Sequence, residues 1–293
     1  MADASKTIVL VTGANSGIGW ETVKALLRSS RTYHILLGTR SLEKGEAALE
    51  ALKEHVAESN TTVELLQLDV ASDDSISNAF DKVQATHGRI DTLVNNAGNL
   101  MPPLPFILSC STIHVLMSYA YLGIALDADC VYGDISMREA WNKAYDVNVT
   151  GANIMTHTFV PLLLKSSDPR LLFVASGLSS MERMSEAHYP VPPPLPAGLP
   201  KKAAVLPSAY RASKTALNMI MLSWHWVLKE DGVMVWAVSP GFLATGLGGQ
   251  RASMARRGAA PASAGGELTA TFIEGGKDAD VGKVVGESGI QPF

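Results

Sequence analysis

Cysteine is nearly missing from this chain, and neither sign of charge is in clear excess. Cys110 and Cys130 are the only two cysteines. They offer neither a disulfide framework nor the paired spacing of a metal site, so no metal is expected. The 24 Lys and Arg stand against 28 Asp and Glu, a net charge of −4, which leaves no basic footprint for nucleic acid. The opening residues Met1 to Lys6 hold no apolar run, so no secretory signal is expected. No internal repeat is visible. These absences exclude a nucleic-acid binder, a small disulfide scaffold and a solenoid, and they predict a cytoplasmic protein. Core-forming residues are plentiful: 47% hydrophobic against 18% charged.

The apolar residues come in short runs separated by helical patterns. Strands are expected at Thr7 to Val11, His34 to Thr39, Val63 to Leu68 and Ile90 to Val94. Helices are expected at Trp20 to Arg28, Leu42 to about Glu58, and Ser72 to His87. After an irregular stretch the pattern resumes with a helix over Met137 to Leu164 and a strand over Leu171 to Ala175. A helix over Ser208 to Glu230 and a strand over Val233 to Val238 follow. Beyond Pro240-Gly241 the chain is Gly- and Ala-rich to about Gly266, which predicts a mobile loop before a last helix and a short strand near Val284. Strands alternating with helices at this spacing predict one α/β domain, 1–293, with a doubly wound parallel sheet of Rossmann type and helices on both faces.

Two motifs carry chemistry. In Gly13-Ala14-Asn15-Ser16-Gly17-Ile18-Gly19, Gly13 suits a tight turn and Gly17 lets the backbone approach a pyrophosphate. Gly19 lets the following helix pack closely on the strand, and the helix N-terminus then offers its free N–H groups to the phosphates. Far downstream, Tyr210 and Lys214 lie four apart and share a helix face. A phenol beside an ammonium is a tunable proton donor. Joined to a nucleotide site, the pair points to carbonyl–alcohol redox chemistry.

Cofactor choice is read at the end of the second strand. NAD-selective folds place a carboxylate there for the ribose 2′-hydroxyl. Here Thr39 stands in that place, with Arg40 next and Ser41 offering a hydroxyl. A guanidinium suits a 2′-phosphate, so NADP(H) is expected over NAD(H). The competing reading is a solvated surface arginine.

The chain resembles the short-chain dehydrogenases/reductases with a Thr-Gly-x-x-x-Gly-x-Gly turn. The matching residues, in family order, are Thr12 to Gly19, Asp69-Val70, Asn95-Asn96-Ala97-Gly98, Asn148, Ser176, Tyr210 with Lys214, and Pro240-Gly241 before Thr245. Gly38-Thr39-Arg40 and the ending Gly289-Ile290-Gln291-Pro292-Phe293 are similar to fungal NADP-linked members. The resemblance implies that Asp69 and Val70 contact the adenine, and that Asn95, Ala97 and Gly98 line the cofactor cleft. It implies that Asn15, Ser16 and Ile18 join the glycines at the cofactor, with Pro240, Gly241 and Thr245 near the nicotinamide. Ser176 would hold the substrate oxygen, Tyr210 exchange its proton, Lys214 bind the nicotinamide ribose and Asn148 hold a relay water.

Two stretches depart from that family. About 185–207, with Tyr189 to Pro196 rich in proline, cannot be a central strand or an unbroken helix and is expected to form a lid or rim. About 99–134 belongs to a region, Thr92 to Leu126, without a Lys, Arg, Asp or Glu. A buried helical hairpin, a membrane-surface segment and a translated intron all fit it; a membrane span would split one sheet across a bilayer. The expected partner is a small carbonyl or alcohol substrate, with neither nucleic acid nor membrane. A homo-oligomer is left open, since family dimers and tetramers pack the helices carrying Asn148 and Tyr210 and the Pro-rich stretch could block that face. Two rivals stand beside this enzyme: a cofactor-binding regulator without turnover, and a chain inactivated by 99–134.

Overall fold

The computed structural model describes residues 6–98, 136–186, 197, 208–247 and 251–293. The apolar segment at 99–134 lies outside the described residues, as does most of the Pro-rich one at 185–207. Helices and strands alternate: β1 (Thr7–Val11), α1 (Gly17–Leu27), β2 (Tyr33–Thr39), α2 (Leu42–Ala57), β3 (Thr62–Gln67), α3 (Asp73–Thr86) and β4 (Thr92–Asn95). The second part runs α4 (Met137–Tyr145), a wide helical turn over Asp146–Gly151, α5 (Ala152–Leu163), β5 (Arg170–Val174), a tight turn over Gly177–Ser179 and α6 (Met181–Ser185). It ends α7 (Ser208–Leu228), β6 (Met234–Ser239), β7 (Leu243–Ala244), α8 (Arg251–Arg256), β8 (Ala260–Pro261), α9 (Ala262–Ile273), β9 (Val284–Gly286) and β10 (Gly289–Gln291).

Eight strands form one sheet in the order β10-β9-β6-β5-β4-β1-β2-β3. All neighbours pair in parallel except β9 and β10. Strand order reverses between β1 and β4, so a crevice opens beyond their carboxyl ends, where such sheets bind ligands. Both faces are covered, which is why the strands read as continuous apolar runs. Ile8 and Leu10 of β1 join Phe159, Leu171 and Phe173 on one face. Val9 and Val11 join Leu26, Leu172, Trp236 and Phe272 on the other.

Ser41, Ser72 and Ser136 cap α2, α3 and α4 by accepting an N–H from the first turn, each cap stabilising by about 1 kcal/mol. At the β3 edge, Glu64 accepts hydrogen bonds with His34 (3.3 Å) and His87 (3.2 Å) and pairs with Lys82 (2.9 Å), tying α3 to the sheet. Among the described residues no helix is long and apolar enough to cross a membrane.

The helix expected over Met137 to Leu164 forms one unbroken run to Leu163, with its middle widened into a π-turn at Asp146–Gly151. Gly151 there lies so close to the neighbouring backbone that a Cβ would come within 2.3 Å of the Val70 carbonyl oxygen. The stretch from Gly241 to Gly266, expected as a mobile loop, holds two strands, α8 and the start of α9. Its glycines serve packing, since a Cβ on Gly266 would lie 2.4 Å from the Glu21 backbone and one on Gly265 would lie 2.5 Å from Leu243. Finally, β10 was not foreseen; Gly289, at φ +107, turns the chain back antiparallel to β9.

Candidate active site

The first wall of the crevice is built by a backbone that needs to be bare. Gly13 (φ +63) and Gly17 (φ +58) adopt the left-handed conformation that side chains disfavour. Gly19 has ordinary φ, yet its Cβ would lie 2.4 Å from Asn96 Nδ2 and 2.8 Å from the Gly13 carbonyl oxygen. Asn96 holds this turn by donating from Nδ2 to the carbonyls of Thr12 (2.8 Å) and Gly13 (3.2 Å). The Thr12 hydroxyl accepts the N–H groups of Asn96 (3.0 Å) and Ala97 (2.9 Å), stitching the ends of β1 and β4 together. Ser16 precedes α1 without making a side-chain cap, and the first turn of that helix carries no acid. Its hydroxyl and the helix N–H groups are therefore available to an anion. Gly19→Val is expected to lower Tm by several degrees, as overpacking costs about 1–3 kcal/mol, and to abolish nucleotide binding. Thermal melts and a fluorescence titration on the same preparation check both.

At the β2 end of the crevice, Thr39 is buried and turned onto Ser41, to whose carbonyl its hydroxyl donates at 3.2 Å. Arg40 and Lys44 line the cavity there, both exposed, with no side-chain hydrogen bond or ion pair among the described residues. The Asp69 carboxylate accepts the Ala71 N–H at 3.1 Å.

The opposite end gathers the polar side chains of β5, the wide turn and α7. Tyr210 shares a hydrogen bond with Ser176, but burial dominates and raises its phenol above the ordinary value of 10.0. The Ser176 hydroxyl also accepts the Leu178 N–H at 3.2 Å. Lys214 is buried, its ammonium 2.6 Å from the Val174 carbonyl oxygen and 5.9 Å from the centre of the Tyr210 ring. Burial without a carboxylate partner lowers its pKa to about 8. Asn148, buried in the π-turn, donates from Nδ2 to Ser213 Oγ at 2.9 Å. The wide turn aims it at the site: a Cβ on Gly98 would lie 3.5 Å from Asn148 Oδ1 and 3.7 Å from Lys214 Nζ. Such turns recur at functional positions.

One cavity of about 1270 Å³ joins the two ends. It is lined by Gly13, Asn15, Ser16, Gly17, Ile18, Arg40, Asp69, Val70, Ala97, Gly98, Ser176, Tyr210, Lys214, Pro240, Gly241 and Thr245. Gly19, Asn95 and Asn148 stand behind it; Asn95 donates to Thr156 Oγ1 at 2.9 Å rather than into the cleft. Lys214 does not offset the rise of the Tyr210 phenol: its ammonium lies 5.9 Å from the ring centre and donates one hydrogen bond to the Val174 carbonyl. Sequence reasoning left Asn96 out of the site, although it lies inside the quoted motif, and missed Lys44, one helical turn from Arg40. It also missed Gln291, for which no local signal exists. Gln291 accepts from Ser239 Oγ (2.8 Å) and donates to the Ser176 carbonyl (3.4 Å), bracing the loop that carries the serine.

The family model for short chain dehydrogenases matches residues 7–191. Over 295 residues, 100% of both chains, the sequence is 48% identical to the short-chain dehydrogenase/reductase tropE of Talaromyces stipitatus. The chain is a short-chain dehydrogenase/reductase. A second relative of this dehydrogenase/reductase, eupG from a Phoma species, is 41% identical over 298 residues, 98% of each chain. The crystal structure of an NADPH-bound carbonyl reductase from chicken fatty liver shares the fold with a TM-score of 0.66. At 20% identity it covers 98% of this chain and 99% of that one. As a short-chain dehydrogenase/reductase the protein is an oxidoreductase of the hydride-transferring kind, and its nucleotide turn, serine, tyrosine and lysine face one cleft.

Proposed function

We propose that this protein reduces a ketone or aldehyde to an alcohol with NADPH, and can run the reverse reaction. The observation that carries this reading is the convergence of Ser176, Tyr210 and Lys214 on the open end of a cleft whose other end is a bare glycine turn. The residues fit a nicotinamide dinucleotide. A Cβ on Gly13 or Gly19 would strike Ala97, Asn96 or the turn's own backbone, so the turn stays bare; Ser16 makes no side-chain cap, and Arg40 with Lys44 presents two cations where a 2′-phosphate would lie.

When bound, the reduced nicotinamide supplies hydride. The protein's own residues do the rest. Ser176 donates to the carbonyl oxygen and stabilises its developing negative charge. Tyr210, kept protonated at neutral pH by burial, gives its proton to that oxygen. Lys214, at a pKa of about 8, is mostly charged at neutral pH. It then favours the phenolate left behind. Asn148 fixes the helix turn behind Lys214 through its hydrogen bond to Ser213 and would hold a water of the proton path.

A panel of ketones and aldehydes assayed with each nucleotide tests the reading. NADPH consumption matched by alcohol formation is expected, with NADH at least about tenfold poorer. Tight nucleotide binding with no consumption across the panel would favour a cofactor-binding regulator instead.

A further inference from the structure

We propose that the substrate end of the cavity is an anion-binding subsite centred on Arg183, and that the carbonyl substrate is an apolar molecule bearing a carboxylate. The proposal rests on the reductase reading above and names the substrate class of that same site. Arg183 sits on α6, immediately after the loop that carries Ser176, and α6 is held in place by the Ser180 hydroxyl accepting the Arg183 N–H at 3.1 Å. Its side chain is half-buried and lines the cavity. Among the described residues its guanidinium makes no hydrogen bond or ion pair. Arginines taken out of water are normally paired, so a half-buried one facing a cleft with no acid bonded to it among the described residues points to a ligand that supplies the acid.

Two further cations surround the same space. Arg211 neighbours Tyr210, and its Nη1 lies 2.9 Å from Met184 Sδ, which draws α6 and α7 together beside the proton donor. Arg257 lines the same cavity with its guanidinium 5.5 Å from the centre of the Phe242 ring. Among the described residues, one acid, Glu287, lines this end, and it is exposed. Three arginines thus stand beside one glutamate among the described residues of a chain whose net charge is −4. These are not the nucleotide's cations, since Arg40 and Lys44 stand at the other end of the cleft. Leu178, Phe242 and Met254 add apolar side chains to the wall of the same cavity. A planar guanidinium recognises carboxylate through two parallel hydrogen bonds, a geometry a neutral ester cannot return.

The test uses the full chain loaded with NADP⁺, so that no reduction occurs during the titration. Calorimetry compares 4-formylbenzoate with its methyl ester, and 6-formyl-2-naphthoate with its methyl ester. Each carboxylate is expected to bind at least about tenfold more tightly than its ester, with the advantage shrinking as salt rises. Arg183→Gln is expected to remove most of that advantage while leaving ester affinity unchanged, and Arg183→Lys to restore part of it. Esters binding as well as acids in both pairs would overturn the proposal, as would Arg183→Gln weakening ester and acid alike. Turnover separates the two readings. Carboxylate preference without NADPH-dependent reduction would keep the subsite and sink the reductase. Equal reduction of acid and ester would keep the reductase and sink the subsite.

Discussion

Replacing Tyr210 by Phe is expected to lower kcat by about 10²–10⁴-fold while changing the Kd for NADPH by less than about threefold. The ring remains in place, so packing is kept and only the hydroxyl is lost. That hydroxyl is protonated at neutral pH, as a phenol ordinarily is, and burial raises its pKa further. Ser176 has a hydroxyl nearby, but an aliphatic alcohol is a far weaker acid and cannot replace the phenol as donor. Stopped-flow reduction together with a fluorescence titration of NADPH separates chemistry from binding. A variant that keeps more than about a tenth of the activity would remove Tyr210 from the proton step and move attention to Lys214, whose pKa of about 8 is also within range.

The second large effect concerns the nucleotide. Arg40→Ala is expected to weaken NADPH binding by about 10–100-fold, the range for a hydrogen bond to a charged group, with NADH affinity nearly unchanged. Thr39 points inward onto Ser41 and provides no carboxylate for a ribose diol, so nothing is gained for NADH by removing the arginine. Lys44 faces the same end of the cavity and compensates in part. The double variant Arg40→Ala/Lys44→Ala is accordingly expected to lose more than either change alone and to bind the two nucleotides alike. Equal weakening of NADPH and NADH by Arg40→Ala would mean that the arginine acts on the fold of the β2–α2 turn rather than on a phosphate.

Both effects involve residues that could be picked out from the chain alone, and the reason is local. The glycine turn, Arg40 after β2, Ser176 after β5 and the Tyr210–Lys214 pair each sit at the carboxyl end of a strand or on the helix beside one. An apolar run followed by a helical pattern locates such positions. The wide turn at Asp146–Gly151 was not legible, because Asp-Val-Asn-Val-Thr-Gly has no composition that separates a π-turn from an ordinary one. Its cause lies in the Val70 carbonyl, distant in sequence, against which Gly151 packs. Gly265 and Gly266 misled for the same reason: glycine signals mobility or close approach, and only the neighbouring α1 decides which. Arg183 and Gln291 acquire meaning from elements that fold against them, so no window of sequence around either residue reveals it.

Gln291 comes later in the chain than any other residue of the cleft, yet it bonds the carbonyl of Ser176, 115 positions earlier. Protein synthesis therefore delivers the two ends of the site at different times. The glycine turn and β4 are synthesised well before β10. The serine loop can gain this brace only once β10 has been made. A chain stalled or cleaved before Gln291 would carry every catalytic side chain and still lack the brace that holds one of them in register.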